Sequence, residues 1–245
     1  NGVFAAMLAK EGFNADTNIL EDSDRGVGFG SAVAGKEGYR IEKLTEGLGE
    51  QFRFDLIDTK NFPCHSYQQR ALEAALHLVR EHNISYEEVE VVEVEMKPGV
   101  AHEVDLLEPP DGEHTRVSVQ HGIAGVLLEH RVRRQTFTAE KLVDPKFKEA
   151  RKKVKAIVRP EWASGPDFEI VTIKLKDGKK HGVKWETWRG HHISPFTAEE
   201  LVAKYKEATG DILSPGQVDR SMELVLGLEA LTNVSELMKI MTFPG

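Results

Sequence analysis

The chain has 245 residues, 40% hydrophobic and 29% charged, the composition of a folded globular protein rather than a disordered one. Its formal charge of −8 argues against a general nucleic-acid binder. No apolar run approaches the length of a membrane span and no secretory signal is visible. The single cysteine, Cys64, allows no internal disulfide and points to a reducing compartment, the cytoplasm by default.

In chain order, the part through about Glu50 reads as helical and punctuated by glycine. Gly26, Gly28, Gly30, Gly35 and Gly38 lie close together. However, Gly35-Lys36 is followed by Glu37 and no strand precedes it, so the pattern is a connecting loop and not a phosphate loop. From about Gln51 the pattern becomes α+β. Gln51–Ile57 alternates as a short strand. Pro63 disfavours helix at Phe62, and Ser66 is placed to cap a helix from Tyr67 to Glu81 with Ala71, Leu72, Ala75, Leu76 and Val79 at helical spacing. Val89 to Met96 reads as a strand whose polar face carries Glu90, Glu93 and Glu95, and Pro98-Gly99 marks a turn after it.

His114 to Arg131 has helical periodicity. Thr138 and Asp144 each begin a short helix, with Pro145 suited to a first helical position. Val154–Val158 is a further strand, and Ile170–Leu175 with His181–Trp185 flank Asp177-Gly178, a hairpin signal. Thr197 and Glu200 form a capping-box pattern, Ser214-Pro215 starts a longer helix, and Asn233 is placed to cap the last one.

Chemistry concentrates at the corner Lys60-Asn61-Phe62-Pro63-Cys64-His65. Backbone N–H groups at a helix start attract anions, and a lysine beside them suits a carboxylate; the plainer reading is a solvated lysine at a strand-to-helix corner. Cys64-His65 is not a nucleophile and base pair, because adjacent residues seldom reach hydrogen-bonding geometry. A helix-start position would lower the Cys64 pKa. The basic run from Lys146 to Lys155 is one solvated face of a short helix with Phe147, Ala150 and Val154 inward. Among ten histidines only His191-His192 are neighbours; on a strand they would point to opposite faces, and no HExxH or Cys/His set occurs, so no metal site is expected.

The segment from Lys60 to Cys64, followed by Ala71-Leu72-Glu73-Ala74-Ala75, resembles the Lys-x-Tyr/Phe-Pro-Cys helix of the MmgE/PrpD family. Gly2–Phe13 looks like that family's small-residue helix before a Gly-Phe turn. Val117 to Ala124 is similar to its Ser-x-Gln-Tyr-x-x-Ala helix, and Phe137-Thr138, Asp144-Pro145, the Lys176–Lys179 hairpin and Leu201–Lys206 follow in the family's order. The family includes 2-methylcitrate dehydratase, cis-aconitate decarboxylase and iminodisuccinate epimerase. The match is to its C-terminal part only, which reads as a fragment, a processed chain or one subunit of a split enzyme.

The resemblance implies an α+β lid domain, 51–213, bracketed by helical segments 1–50 and 214–245 of one all-α domain. It implies a lyase or isomerase acting on a small di- or tricarboxylate by proton transfer next to a carboxylate, through dehydration, decarboxylation or epimerisation. No cofactor or metal is called for. Lys60 and His121 are the expected catalytic residues, with His65, Cys64 and Gln69 binding substrate. Two departures stand out: His121 replaces the family's usual tyrosine, and Gln69 stands where many relatives carry histidine. These departures keep open a non-catalytic binding or regulatory protein that retains the lid. Bracketing segments without the remaining helices should expose apolar side chains from Val3, Phe4, Met7 and Leu8 to Leu224, Val225 and Leu228, which calls for a homo-oligomer or a complementing chain.

Overall fold

A computed structural model describes all residues except Asp24, Arg25, Pro166 and 243–245, and gives no side-chain placement for Arg53 and Asp55. The end of the expected returning segment therefore lies outside the described residues. The chain divides into two compact units, Asn1–Asp55 and Leu56–Gly245.

The first unit holds helix α1 (Gly2–Lys10) and the short helix α2 (Phe29–Ala34). Asp22 organises the entry to α2, its carboxylate accepting from the Gly28 N–H at 2.8 Å and from the Ser31 hydroxyl at 2.7 Å. Within α1 no residue is buried, and Val3, Phe4 and Met7 are exposed as expected. Gln51–Ile57 is not a strand: Arg53–Leu56 forms a single 3₁₀ turn. Alternation over so few residues, with no partner strand beside it among the described residues, does not hold an extended backbone.

The second unit is α+β. Its elements are α3 (Gln69–Glu81), β1 (Val89–Met96), α4 (Pro98–Val104), α5 (Val119–Glu129), α6 (Ala139–Val143), α7 (Pro145–Lys152), β2 (Val154–Val158), β3 (Glu169–Leu175), β4 (Lys180–Trp185), α8 (Ala198–Thr209), α9 (Pro215–Leu226) and α10 (Ser235–Ile240). The four strands form one mixed sheet in the order β2-β1-β3-β4, with β1 parallel to β2 and antiparallel to β3, and β4 antiparallel to β3. On β1 the register shifts between Val89 and Val91, which explains how the adjacent Val91 and Val92 fit one strand: the bulge resets the alternation, and Val92, Val94 and Met96 then all face the core. The other face is laced by Glu93–Lys174 and Glu95–Arg159 ion pairs, each at 2.6 Å.

Helices α3 and α5 cover the core face of the sheet. Leu72, Leu76 and Val79 of α3 meet Ile123, Val126 and Leu127 of α5 and the inward side chains of the strands. Gly122 lets the two helices approach, since a Cβ there would press on Leu72 and on the Gln68 amide. Pro98-Gly99 opens the helix α4 and is not merely a turn, as a proline at a first helical position can do. The Phe147 and Ala150 faces of α7 turn inward as expected, but Arg151 is buried with them. At the C-terminal end, α8 and α9 begin with capping boxes at Thr197 and Ser214, and the Asn233 side chain accepts from the Ser235 N–H at 2.9 Å before α10. Val225 and Leu228 are exposed, whereas Leu224 is buried.

Candidate functional site

The corner before α3 is held from several sides. Asp58 accepts the His192 N–H at 2.8 Å, and the Thr59 N–H donates to the Gly190 carbonyl at 2.7 Å. The Asn61 amide donates to Glu73 at 2.6 Å. Glu73 also receives the Arg189 N–H at 2.8 Å and the Trp185 indole N–H at 3.2 Å. Gly190 is required at its position: its φ of +99° disfavours any side chain, and a Cβ would fall against the Thr59 carbonyl oxygen. Among the described residues none hydrogen-bonds the Lys60 side chain, which is exposed between these anchored neighbours. Its charge is nevertheless felt by the Cys64 thiol.

The expected residues separate into two groups. Lys60 and the half-buried His65 remain accessible. His65 also does the capping expected of Ser66: its Nδ1 accepts the Tyr67 N–H at 3.3 Å at the start of a 3₁₀ turn, Ser66–Gln68, that leads into α3. Cys64, Gln69 and His121 are instead built into the core. Burial pushes the Cys64 thiol up to about 12, opposing and exceeding the pull of Lys60 and the Gln69 amide, so the helix-start lowering expected from sequence does not occur. Gln69 is fully buried. Its Oε1 accepts the Phe62 N–H and its Nε2 donates to the Phe62 carbonyl and, at 3.4 Å, to Cys64 Sγ. It clamps the corner from within the core.

His121 does not border a pocket with Lys60. Its ring is fully buried between Phe137 and Phe147; Nε2 lies 2.8 Å from the Thr136 carbonyl and Nδ1 3.2 Å from the Arg151 guanidinium. The Thr136 carbonyl can only accept and the Arg151 guanidinium can only donate, which fixes a neutral ring with its proton on Nε2. Desolvation holds its pKa down at about 4. Sequence alone places this histidine on a helix but cannot show that Arg151, from α7, closes over it.

A second cluster carries no motif in the sequence. Arg70 and Glu169, both buried, pair at 3.4 Å, and Arg70 lies over the Trp188 ring at 5.0 Å and reaches Asp167 at 3.7 Å. Lys97 closes the group through Asp167. Burial raises the Glu169 pKa to about 7 despite Arg70. Its only sequence signal is a glutamate at an inward-facing position of β3.

The expectation that His191 and His192 diverge is also corrected. They lie in a tight turn, His191–Ser194, and not in a strand; their rings stand 4.1 Å apart and both face Asp58.

Two open hollows border the corner. One, of about 480 Å³, lies along Glu73, Trp185, Trp188 and Arg189; the other, of about 500 Å³, lies along Arg116, Arg134 and Phe137, and the Arg116 carbonyl accepts the His65 N–H. Neither is lined by Lys60 or His65, which stand on open surface.

The sequence pattern of the MmgE/PrpD C-terminal domain matches residues 62–230, from the Phe62 corner through α9. The chain belongs to the MmgE/PrpD family. Across its whole length it is 28% identical to cis-aconitate decarboxylase of Mus musculus, 26% identical to that of Homo sapiens and 22% identical to that of Aspergillus terreus. It covers 51%, 51% and 53% of those proteins, so the chain spans about half the length of the curated relatives it matches. Among the described residues no helix is long and apolar enough to cross a membrane.

Proposed function

We propose that this chain supplies the C-terminal-domain part of an MmgE/PrpD-type lyase or isomerase that acts on a small di- or tricarboxylate by proton transfer at the carbon next to a carboxylate. The observation that carries this reading is Lys60: in a chain of this family, it is a cation without a side-chain hydrogen bond among the described residues, in a segment where Asp58, Thr59 and Asn61 are all fastened. A cation beside the substrate carboxylate offsets the negative charge that develops on the neighbouring carbon, and does so more strongly once bound substrate and the assembled site exclude water. In this reading Lys60 holds a substrate carboxylate and His65, whose Nε2 has no hydrogen-bond partner among the described residues, supplies a group for hydrogen bonding or proton transfer. Dehydration, decarboxylation and epimerisation all need such a pair, and none needs an organic cofactor. The exposed apolar side chains of α1 favour a homo-oligomer or a complementing chain, with segments 1–50 and 214–245 in one helical domain and the assembly in the cytoplasm.

A second reading is favoured by the core roles of Gln69, expected to bind substrate, and of His121, expected to be catalytic: a non-catalytic binding or regulatory protein that keeps the lid. The deciding experiment is turnover of 2-methylcitrate, cis-aconitate and iminodisuccinate by the natively purified assembly. Turnover that vanishes in Lys60→Ala, with folding intact, supports the lyase or isomerase reading. Binding of these acids without turnover supports the second.

A further inference from the structure

Asp58 lies far in sequence from the adjacent His191 and His192, yet each of the three offers a ligand atom within 4.8 Å of the other two. His192 Nδ1 is 2.9 Å from one Asp58 oxygen and His191 Nε2 is 3.7 Å from the other. We propose that these three side chains form a binding site for a divalent transition cation of the zinc class. The proposal goes beyond the lyase or isomerase reading and does not depend on it.

The arrangement is built by backbone and not by chance side-chain contact. The Thr59–Gly190 hydrogen bond brings the two stretches together, the Asp58 carboxylate is oriented by the His192 N–H, and the turn is closed by the Gly190 N–H to Ser194 carbonyl and Ser194 N–H to His191 carbonyl bonds, both 2.8 Å. Trp188 packs edge-on against the His191 ring at 4.5 Å and fixes its plane. Two imidazoles and one carboxylate suit zinc, nickel, cobalt or copper, leave open positions for water, and are too few and too nitrogen-rich for calcium or magnesium.

Binding has a visible cost. His191 Nδ1 accepts the Ile193 N–H at 3.3 Å, so its proton sits on Nε2; coordination through Nε2 moves that proton to Nδ1 and opens this long contact. At His192 the proton passes from Nδ1 to Nε2. Arg70 adds a repulsive charge near His191, countered by Asp167. The site is therefore expected to bind in the micromolar range and to show the Irving–Williams preference for copper over zinc and zinc over manganese.

The test is titration of the full chain with Zn²⁺ by calorimetry, together with ¹⁵N-detected NMR of the histidine rings. One Zn²⁺ per chain is expected, with the ring nitrogens of His191 and His192 shifting and those of His82 and His181 unmoved. Asp58→Asn and His192→Ala should each weaken binding by about tenfold or more, the size of loss known for disturbed metal sites, while His181→Ala leaves it unchanged. If a variant does not fold, the NMR shifts of the unsubstituted protein decide. No binding below millimolar Zn²⁺, shifts at other histidines, or full affinity in folded Asp58→Asn and His192→Ala would each overturn the proposal.

Discussion

Gln69 grips Phe62 at both ends of its backbone: its amide oxygen accepts the Phe62 N–H at 2.9 Å and its amide nitrogen donates to the Phe62 carbonyl at 3.0 Å. Both residues are buried, so water cannot replace either bond. Gln69→Leu, close in volume, strands a buried donor and acceptor and should destabilise the protein by about 2–4 kcal/mol. Urea unfolding measures this. Because the same clamp sets the corner that carries Lys60, carboxylate binding should weaken in the folded fraction as well; unchanged stability would show that the clamp is not formed.

Lys60 gives the opposite pattern. An exposed residue with no side-chain hydrogen bond among the described residues should change stability by no more than about 0.5 kcal/mol when replaced. Lys60→Ala should therefore melt like the unsubstituted protein but bind di- and tricarboxylates more weakly, as read by calorimetry. Lys60→Arg keeps the charge and should keep binding; loss of turnover with binding retained would assign the lysine a part in proton transfer.

The contrast between these residues marks what can be read from sequence. Helix α3, the strands β1 to β4 and the capped helices α8 and α9 follow from periodicity, turn residues and capping patterns, which are local. The corner motif was legible as a place where chemistry concentrates. What Cys64, Gln69 and His121 do there was not, because each role is decided by a partner far away in sequence or by burial: Arg151 closes on His121, and the packed core turns Cys64 into an inert thiol. The convergence of His191 and His192 on Asp58 depends on a turn that a strand-like reading of adjacent residues inverts.

His121 should matter to stability and not to proton transfer. His121→Ala takes the partner from the Thr136 carbonyl, removes one of the two acceptors of the Arg151 guanidinium and leaves a cavity, and should cost about 2–4 kcal/mol. Its pKa of about 4 lies below the ordinary 6.5, so between these values the unfolded chain binds a proton that the folded one refuses. Stability therefore rises with pH across that window, is complete above about 6.5, and falls as pH drops toward 4. Arg151 and Lys141 strengthen the effect and Glu129 opposes it. A folded His121→Gln variant should have a flatter stability profile there.

Glu169 works in the other direction. Its pKa, raised from 4.5 to about 7, lets the folded state hold a proton that the unfolded state has lost, so this residue contributes stability at low pH that declines as pH rises through 7. Arg70, Asp167 and Lys97 are the charges that face it. Glu169→Gln mimics the protonated form. It should be more stable than the unsubstituted protein at pH 8 by on the order of 1–3 kcal/mol and nearly equal to it below pH 4.5. A variant less stable at pH 8 would show that the Arg70 pair outweighs the burial.

Cys64 should resist alkylation. A thiol that is buried and pushed up to about 12 carries almost no thiolate at neutral pH. Iodoacetamide at pH 8 should leave the native protein unmodified in mass spectra and label it fully in denaturant. Rapid labelling of the native form would mean that the corner opens.

The sheet order has a consequence for how the chain reaches its fold. β1 is central, yet both of its neighbours, β2 and β3, are encoded far downstream of it. During synthesis the first strand to appear must wait for the rest of its sheet, while β3 and β4 join through a short local turn at Asp177-Gly178. A waiting strand as apolar as β1 invites pairing with other chains, and late, long-range pairing slows folding. Glu90, Glu93 and Glu95 make that interval safer: until Lys174 and Arg159 arrive to neutralise Glu93 and Glu95, they are like charges that repel a second copy of the same strand.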